Sequence, residues 1–219
     1  VPLQLDEIFR DEDSVKKLNQ FHSVIVGGAS VSTALLEKIK TLSCNVYATY
    51  GMTETVSHIA LQKLNEPHAQ DYFETLPNIT IKADVRDCLV IGLPDFSEPV
   101  ITNDLVNIID KTRFKILGRY DNIINSGGIK LIPEAIEKKI EPFLKQSFFV
   151  AGIPDERLGQ KLVLMIEVGT VPGLLPALKS ALDAYEVPKE IFYTEAFTRT
   201  ETQKINRAQT LERALKSKR

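Results

Sequence analysis

The sequence is poor in the residues that make several functional classes easy to assign. Its 219 residues include two cysteines, Cys44 and Cys88, and three histidines, His22, His58 and His68. Two cysteines supply neither a disulfide framework nor a metal set, and the histidines show no metal-ligand spacing. No apolar run approaches the roughly 18 residues of a membrane span; Leu162 to Ile166 is typical of the longest. The opening residues, Val1-Pro2-Leu3-Gln4-Leu5-Asp6-Glu7, have neither the basic start nor the apolar stretch of a signal peptide. A basic excess is missing as well: 27 Lys+Arg face 29 Asp+Glu, a net charge of −2, which argues against a dedicated nucleic-acid binder. Repeats and low-complexity tracts are absent. What remains reads as a cytoplasmic protein, 43% hydrophobic and 26% charged, with enough apolar side chain for a core.

Length alone suggests one large domain or two modest ones. Phe21 to Val26 is a β-prone run ending at Gly27-Gly28, and Leu35, Leu36, Ile39 and Leu42 follow at helical spacing behind a cap at Ser32 or Thr33. Val46 to Thr49 is the next β-prone run. Strand, glycine turn, helix and strand form the βαβ grammar of a parallel sheet. From about Val56 to Leu117 short alternating runs predict antiparallel sheet or a small barrel. Beyond Gly118-Arg119-Tyr120-Asp121, two runs fold over Gly127-Gly128 and a helix opens at Pro133, its first-position proline favourable there. Further strands, a helix near Leu174 to Ala184 and a final helix complete a small α+β domain. The expected class is therefore α/β and α+β: a partial βαβ sheet with a β-rich subdomain, followed by a small α+β domain.

Several residues could carry chemistry. Gly27 and Gly28 lie between strand and helix, where backbone N–H groups can meet an anion or simply make a tight turn. In Tyr50-Gly51-Met52-Thr53-Glu54-Thr55 a ring can stack on a base, hydroxyls can donate to phosphate and a carboxylate can reach Mg²⁺; a Thr-rich loop with a packed tyrosine is the plain alternative. Asp104 suits ribose hydroxyls but also an ordinary turn. Arg119 could fork onto ribose or phosphate oxygens, or pair with a carboxylate in a linker. Lys204 is a lone lysine in a polar loop.

Their order is more telling than any one of them. Val24 to Thr55, Thr102-Asn103-Asp104-Leu105-Val106, then Gly118-Arg119-x-Asp121-x-x-Ile124-x-x-x-Gly128-x-x-x-x-x-Glu134-x-x-Glu137 and the lysine loop together resemble the adenylate-forming superfamily of acyl-CoA synthetases, luciferases and adenylation domains. The resemblance runs over essentially the whole chain from about Phe21. Gly27-Gly28-Ala29, Thr49 to Thr55 and Glu98 to Val106 look most like the o-succinylbenzoate–CoA ligase branch, which serves menaquinone biosynthesis.

The resemblance implies a ligase that adenylates an aromatic carboxylic acid with ATP and Mg²⁺, leaving AMP, and passes the acyl group to coenzyme A. It implies that Tyr50 stacks on adenine, Thr53 touches the α-phosphate and Glu54 holds the metal. Gly27 and Gly28 border the acyl and adenine pockets by backbone, Gly51 belongs to the cofactor-binding set beside Tyr50, and Asp104 and Arg119 hold the ribose. Gly128 lines the pantetheine tunnel, and Lys204 is the catalytic lysine of the first half-reaction. Asp121 is implied as the hinge between residues 1–120, the remainder of a large domain, and residues 121–219, a small mobile domain. Ser57 and His58 are candidates for the acyl pocket. Alternatives are another aryl- or acyl-CoA ligase, an adenylation domain loading a carrier protein, or a fragment that only binds adenylate.

The sequence departs from the family pattern at three points. Asn103 stands where many relatives have glycine, Gln203 replaces the glycine before the lysine, and no Ser/Thr/Gly-rich loop ending in Pro-Lys is present. The chain is therefore expected to be a portion of a longer enzyme and inactive by itself.

Overall fold

In the computed structural model, which describes residues 1–201 and 204–217, two short helices precede the first strand. α1 (Pro2–Ile8) starts on a proline at its first position, and α2 (Glu12–Leu18) starts where the Asp11 carboxylate accepts the Ser14 N–H at 2.9 Å. The first element expected from the sequence is the strand after Phe21, so both helices are additions. Asp11 followed by the stem of Val15 and Leu18 was the available signal, since an N-cap carboxylate satisfies a donor the helix cannot. α1 and α2 bury Leu5 and Leu18 against the next βαβ unit.

That unit is β1 (Ser23–Val26), α3 (Thr33–Ile39) and β2 (Asn45–Gly51), with β1 and β2 parallel and Val26 opposite Ala48. Ser32 caps α3, its hydroxyl accepting the Leu35 N–H at 3.2 Å. Leu35 and Ile39 bury the inner face of α3 on Val26, Cys44 and Val46, each such side chain contributing roughly 1.5–3 kcal/mol. The Cys44 thiol sits in this apolar cluster, and burial pushes its pKa up.

A run of antiparallel strands follows: β3 (His58–Lys63), β4 (Phe73–Thr75), β5 (Thr80–Ala83), β6 (Cys88–Gly92), β7 (Val100–Ile108) and β8 (Arg113–Arg119). They continue the parallel pair in one eight-stranded sheet ordered β1-β2-β3-β4-β8-β7-β6-β5. β2 is the joint, parallel to β1 and antiparallel to β3. Ile59, Leu89, Ile91, Val106 and Phe114 form the core of this part.

The chain divides into two units, Val1–Ile116 and Leu117–Arg219. The second contains β9 (Ile124–Ser126), β10 (Ile129–Leu131), α4 (Pro133–Ile140), β11 (Phe148–Asp155), β12 (Gly159–Glu167), α5 (Leu174–Ala181), β13 (Glu190–Thr194) and α6 (Arg207–Ser217). β12 lies at the centre of a five-stranded sheet, antiparallel to β11 and parallel to β13, with Gly159 opposite Ser126 of β9. Its apolar run is continuous because both faces are covered. Leu162, Leu164 and Ile166 pack with Ile136 and Leu178 on one side, while Val163 and Met165 pack with Phe149 and Phe192 on the other.

The sequence places Ile136, Ile140, Phe143 and Leu144 on one apolar stripe behind Pro133, and all but Phe143 are buried in one cluster. α4 ends at Ile140, a 3-10 turn takes Glu141–Phe143, and Phe143 is 39% exposed. Pro142 is the cause: it lacks an N–H and its ring would meet the carbonyl one turn back. Among the described residues, no helix is long and apolar enough to cross a membrane.

Candidate active-site elements

The carboxyl ends of two parallel strands are where an open α/β sheet gathers ligand groups. In the first unit the C-terminal ends of β1 and β2 carry Gly27-Gly28 and Tyr50-Gly51, with Thr49 packed against Gly27. β2 bulges between Tyr50 and Gly51, where Gly51 comes opposite His58. A Cβ on Gly51 would lie 2.5 Å from both His58 Cα and the Ser57 carbonyl oxygen, so this crossing accepts only glycine. The bulge re-aims the chain, and a 3-10 turn over Thr53–Thr55 follows at once.

Within that turn Thr55 is buried and works on the backbone. Its hydroxyl takes the Met52 N–H at 3.0 Å and lies within hydrogen-bond reach of the Met52 and Ser57 carbonyls at 2.9 and 2.7 Å. Thr53 and Glu54 are left exposed. The motif thus separates into one residue that shapes the turn and two that present an oxygen to the outside. Among the described residues, no group of three or more His, Cys, Asp or Glu side chains could hold a metal by itself. A single exposed carboxylate suits Mg²⁺ that brings its remaining oxygens from nucleotide phosphates and water.

Tyr50 and Asp104 are brought together from 54 residues apart: the Tyr50 hydroxyl donates to Asp104 Oδ2 at 2.6 Å. The Tyr50 ring is half-buried, edge-on to Phe114 at 5.4 Å between centroids and tilted against Phe73 at 5.8 Å. Asp104 itself is 8% exposed on β7, its N–H donating to Thr102 Oγ1 at 3.1 Å. The neighbouring stretch has a brace that sequence reasoning missed. Arg86 donates from Nη1 to Asn103 Oδ1 at 3.0 Å, from Nη2 to the Thr102 carbonyl at 3.1 Å and from Nε to Asp84 at 2.9 Å. Asn103, out of pattern for the family, thus has a partner here that glycine could not supply.

In the second unit Arg119 closes β8 and approaches Asp121 at 3.4 Å, both more than half exposed. Asp121 lies in a 3-10 turn over Tyr120–Asn122. Gly128, at φ 81°, completes the turn between β9 and β10 and faces open space.

Lys204 sits on a small hairpin. Thr200 N–H donates to the Lys204 carbonyl at 2.8 Å, Lys204 N–H donates to Thr200 Oγ1 at 3.2 Å, and Arg199 bridges Ile205. Gln203 lies outside the described residues. Three positions past the lysine, Arg207 forks onto Glu137 at 2.8 and 2.9 Å, and Glu137 also accepts the Val150 N–H at 2.8 Å. Burial pushes the Glu137 carboxyl above its ordinary range, although Arg207 and the Val150 N–H pull it down. The first glutamate of the motif, Glu134, accepts from Asn122 Nδ2, and its Oε2 is buried with no hydrogen-bond partner.

No protein-family model matches the chain. A probable 2-succinylbenzoate–CoA ligase from Mycobacterium tuberculosis is 26% identical over 233 residues, covering 95% of this chain and 58% of that protein. An AMP-forming acyl-CoA synthetase/AMP-acid ligase II-like protein from Dyadobacter fermentans is 39% identical with a TM-score of 0.56, over 98% of this chain and 64% of its own. The o-succinylbenzoate coenzyme A synthetase from Bacillus subtilis, solved with ATP and magnesium ion, shares the fold with a TM-score of 0.70 at 19% identity, over 91% of this chain and 50% of its own. The chain therefore spans little more than half the length of the curated relative it matches. Over nearly its whole length the chain is thus similar in sequence to AMP-forming acyl-CoA ligases and shares the fold of a solved member of that group.

Proposed function

We propose that this chain belongs to an acid–thiol ligase that activates an aromatic carboxylic acid with ATP and transfers it to coenzyme A, with o-succinylbenzoate as the substrate of choice. The observation that carries this reading is the 2.6 Å Tyr50–Asp104 hydrogen bond. It joins two separate motifs, one offering an aromatic face and one a buried carboxylate, as a nucleoside requires. The similarity to a probable 2-succinylbenzoate–CoA ligase supports the choice of acid.

In the first step a carboxylate oxygen attacks the α-phosphorus, the bond to the bridging β-phosphate oxygen breaks, and pyrophosphate leaves. Negative charge grows on the phosphoryl oxygens, and a positioned ammonium offsets it. Lys204 is assigned that role, with Thr53 donating to the α-phosphate. Bound Mg²⁺ adds charge stabilisation, and Glu54 is the side chain that would hold it. Asp104 accepts from the ribose hydroxyls and Arg119 supports the same sugar. Gly27 and Gly28 offer backbone N–H groups beside the nucleotide. In the second step the coenzyme A thiolate attacks the acyl carbon and AMP leaves. Gly128 leaves the pantetheine arm room, and Asp121 is the residue assigned to hinge motion between steps.

The two steps are separable, which makes the lysine assignment testable. In the intact protein carrying this sequence, Lys204→Ala is expected to cut acid-dependent pyrophosphate release by on the order of 10²–10³. Thiolysis of preformed acyl-adenylate should be untouched. Equal loss of both steps would contradict the assignment.

A second reading concerns the 219-residue chain by itself. Its sequence contains no Ser/Thr/Gly-rich loop ending in Pro-Lys to grip the outer phosphates of ATP. On this reading the chain binds an acyl-adenylate without turning over ATP. Calorimetry with a non-hydrolysable acyl-AMP analogue should show binding, and sustained ATP-dependent turnover by this chain would refute it.

A further inference from the structure

We propose that Glu137 is a positioning residue for Lys204, acting through Arg207; this rests on reading Lys204 as the adenylation lysine. Lysine is a flexible cation, so its usefulness depends on how firmly its backbone is held. The Lys204 hairpin is tied down on both sides. Before the lysine, Arg199 Nη2 donates to Glu167 Oε2 of β12 at 2.6 Å, and Arg199 bridges Ile205. After it, Arg207 opens α6 and forks onto both oxygens of Glu137 on α4, at 2.8 and 2.9 Å. Glu137 is fixed in turn by the Val150 N–H of β11 at 2.8 Å. The Arg207 guanidinium lies 5.6 Å from the centre of the Phe149 ring. Asn206, between lysine and arginine, caps the following turn by accepting the Gln209 N–H at 3.1 Å.

A largely buried ion pair is a poor source of net stability, because the charges give up water to form it. What a two-point fork does supply is direction as well as distance. The pair sets the angle at which α6 leaves the hairpin, and thereby where Lys204 starts. Glu134, one turn earlier on α4, lies 4.0 Å from Arg207 and is held by Asn122. Both glutamates of the Glu134-x-x-Glu137 pattern therefore face one arginine, and this explains their spacing on the helix.

The test compares half-reactions in the intact protein. Glu137→Gln keeps the shape and removes the charge. It is expected to lower kcat for acid-dependent pyrophosphate release by on the order of 10²-fold and to leave thiolysis of preformed acyl-adenylate unchanged. Arg207→Lys retains an ion pair but loses the fork, and is expected to give the same split to a smaller degree; it serves where Glu137→Gln does not fold. Combining Glu137→Gln with Lys204→Ala should adenylate no more slowly than Lys204→Ala alone, because the glutamate acts through the lysine. Equal loss in both half-reactions, or multiplicative losses in the double variant, would overturn the proposal. So would wild-type adenylation by Glu137→Gln alongside a crippled Lys204→Ala, an outcome that leaves the lysine reading intact. Unimpaired adenylation by Lys204→Ala removes that reading first, and the proposal with it.

Discussion

Gly51 has no room for a side chain, because the Ser57–His58 backbone crosses where a Cβ would go. Gly51→Ala is expected to destabilise the chain by about 1–3 kcal/mol, read as a lowered urea midpoint with an unchanged slope. The Tyr50–Asp104 pair is a second residue-scale commitment. Asp104 is nearly inaccessible, so Tyr50→Phe takes a donor from a buried carboxylate and is expected to cost about 1–3 kcal/mol. Asp104→Asn should weaken binding of an acyl-AMP analogue by about tenfold or more, since bonds to a charged acceptor carry about 1.5–3 kcal/mol. Calorimetry reads this directly, and unchanged affinity would detach Asp104 from the ribose. The site was only partly legible at this scale. Residue type and order single out Tyr50, Thr53, Glu54 and Asp104 in the sequence, and the fold brings Tyr50 and Asp104 together. Arg86 was not, because nothing in its local sequence says that its guanidinium reaches Thr102 and Asn103 across the sheet. Glu137 was visible as a spaced carboxylate, but its partner lies 70 positions away.

Elements fold here largely as local chemistry dictates. Ser32 caps α3 and Pro133 opens α4 where the sequence places them. α1 and α2 escaped notice because each spans only seven residues, too short to show a periodic stripe. The apolar stripe behind Pro133 runs past the end of the helix because Pro142 breaks the backbone beneath it. The turn between β7 and β8 offers a pH test. Hydrogen bonds from Arg113, then from the Thr112 N–H, hold the Asp110 carboxyl down from 3.8 to about 2. A carboxyl whose folded pKa is depressed stabilises the fold above its unfolded pKa and loses that contribution as pH falls through the folded value. Unfolding midpoints should therefore decline between about pH 4 and pH 2, and Asp110→Asn should flatten that segment of the profile. An identical slope in the variant would assign the decline to other carboxylates.

At the scale of the molecule, each unit carries its own apolar interior. The Leu117–Arg219 unit buries both faces of β12 by itself, with Ile136, Ile140 and Leu178 on one side and Phe149, Phe192 and Phe197 on the other. Residues 117–219 expressed alone are therefore expected to unfold cooperatively in urea, since a unit with its own core does not depend on a neighbour. A broad, non-cooperative loss of signal would contradict this. The fold class was legible because period-2 and helical patterns alternate clearly along the chain. The continuity of the eight-stranded sheet through β2 was less so, because strand order is decided by long-range pairing rather than by any local run. The central claim is chemical, and acid-dependent release of pyrophosphate from ATP tests it most directly. The intact protein should be assayed over a panel of aromatic carboxylic acids that includes o-succinylbenzoate. The expected result is release only with a cognate acid, with o-succinylbenzoate the preferred member; release independent of any acid, or none across the panel, would contradict the account.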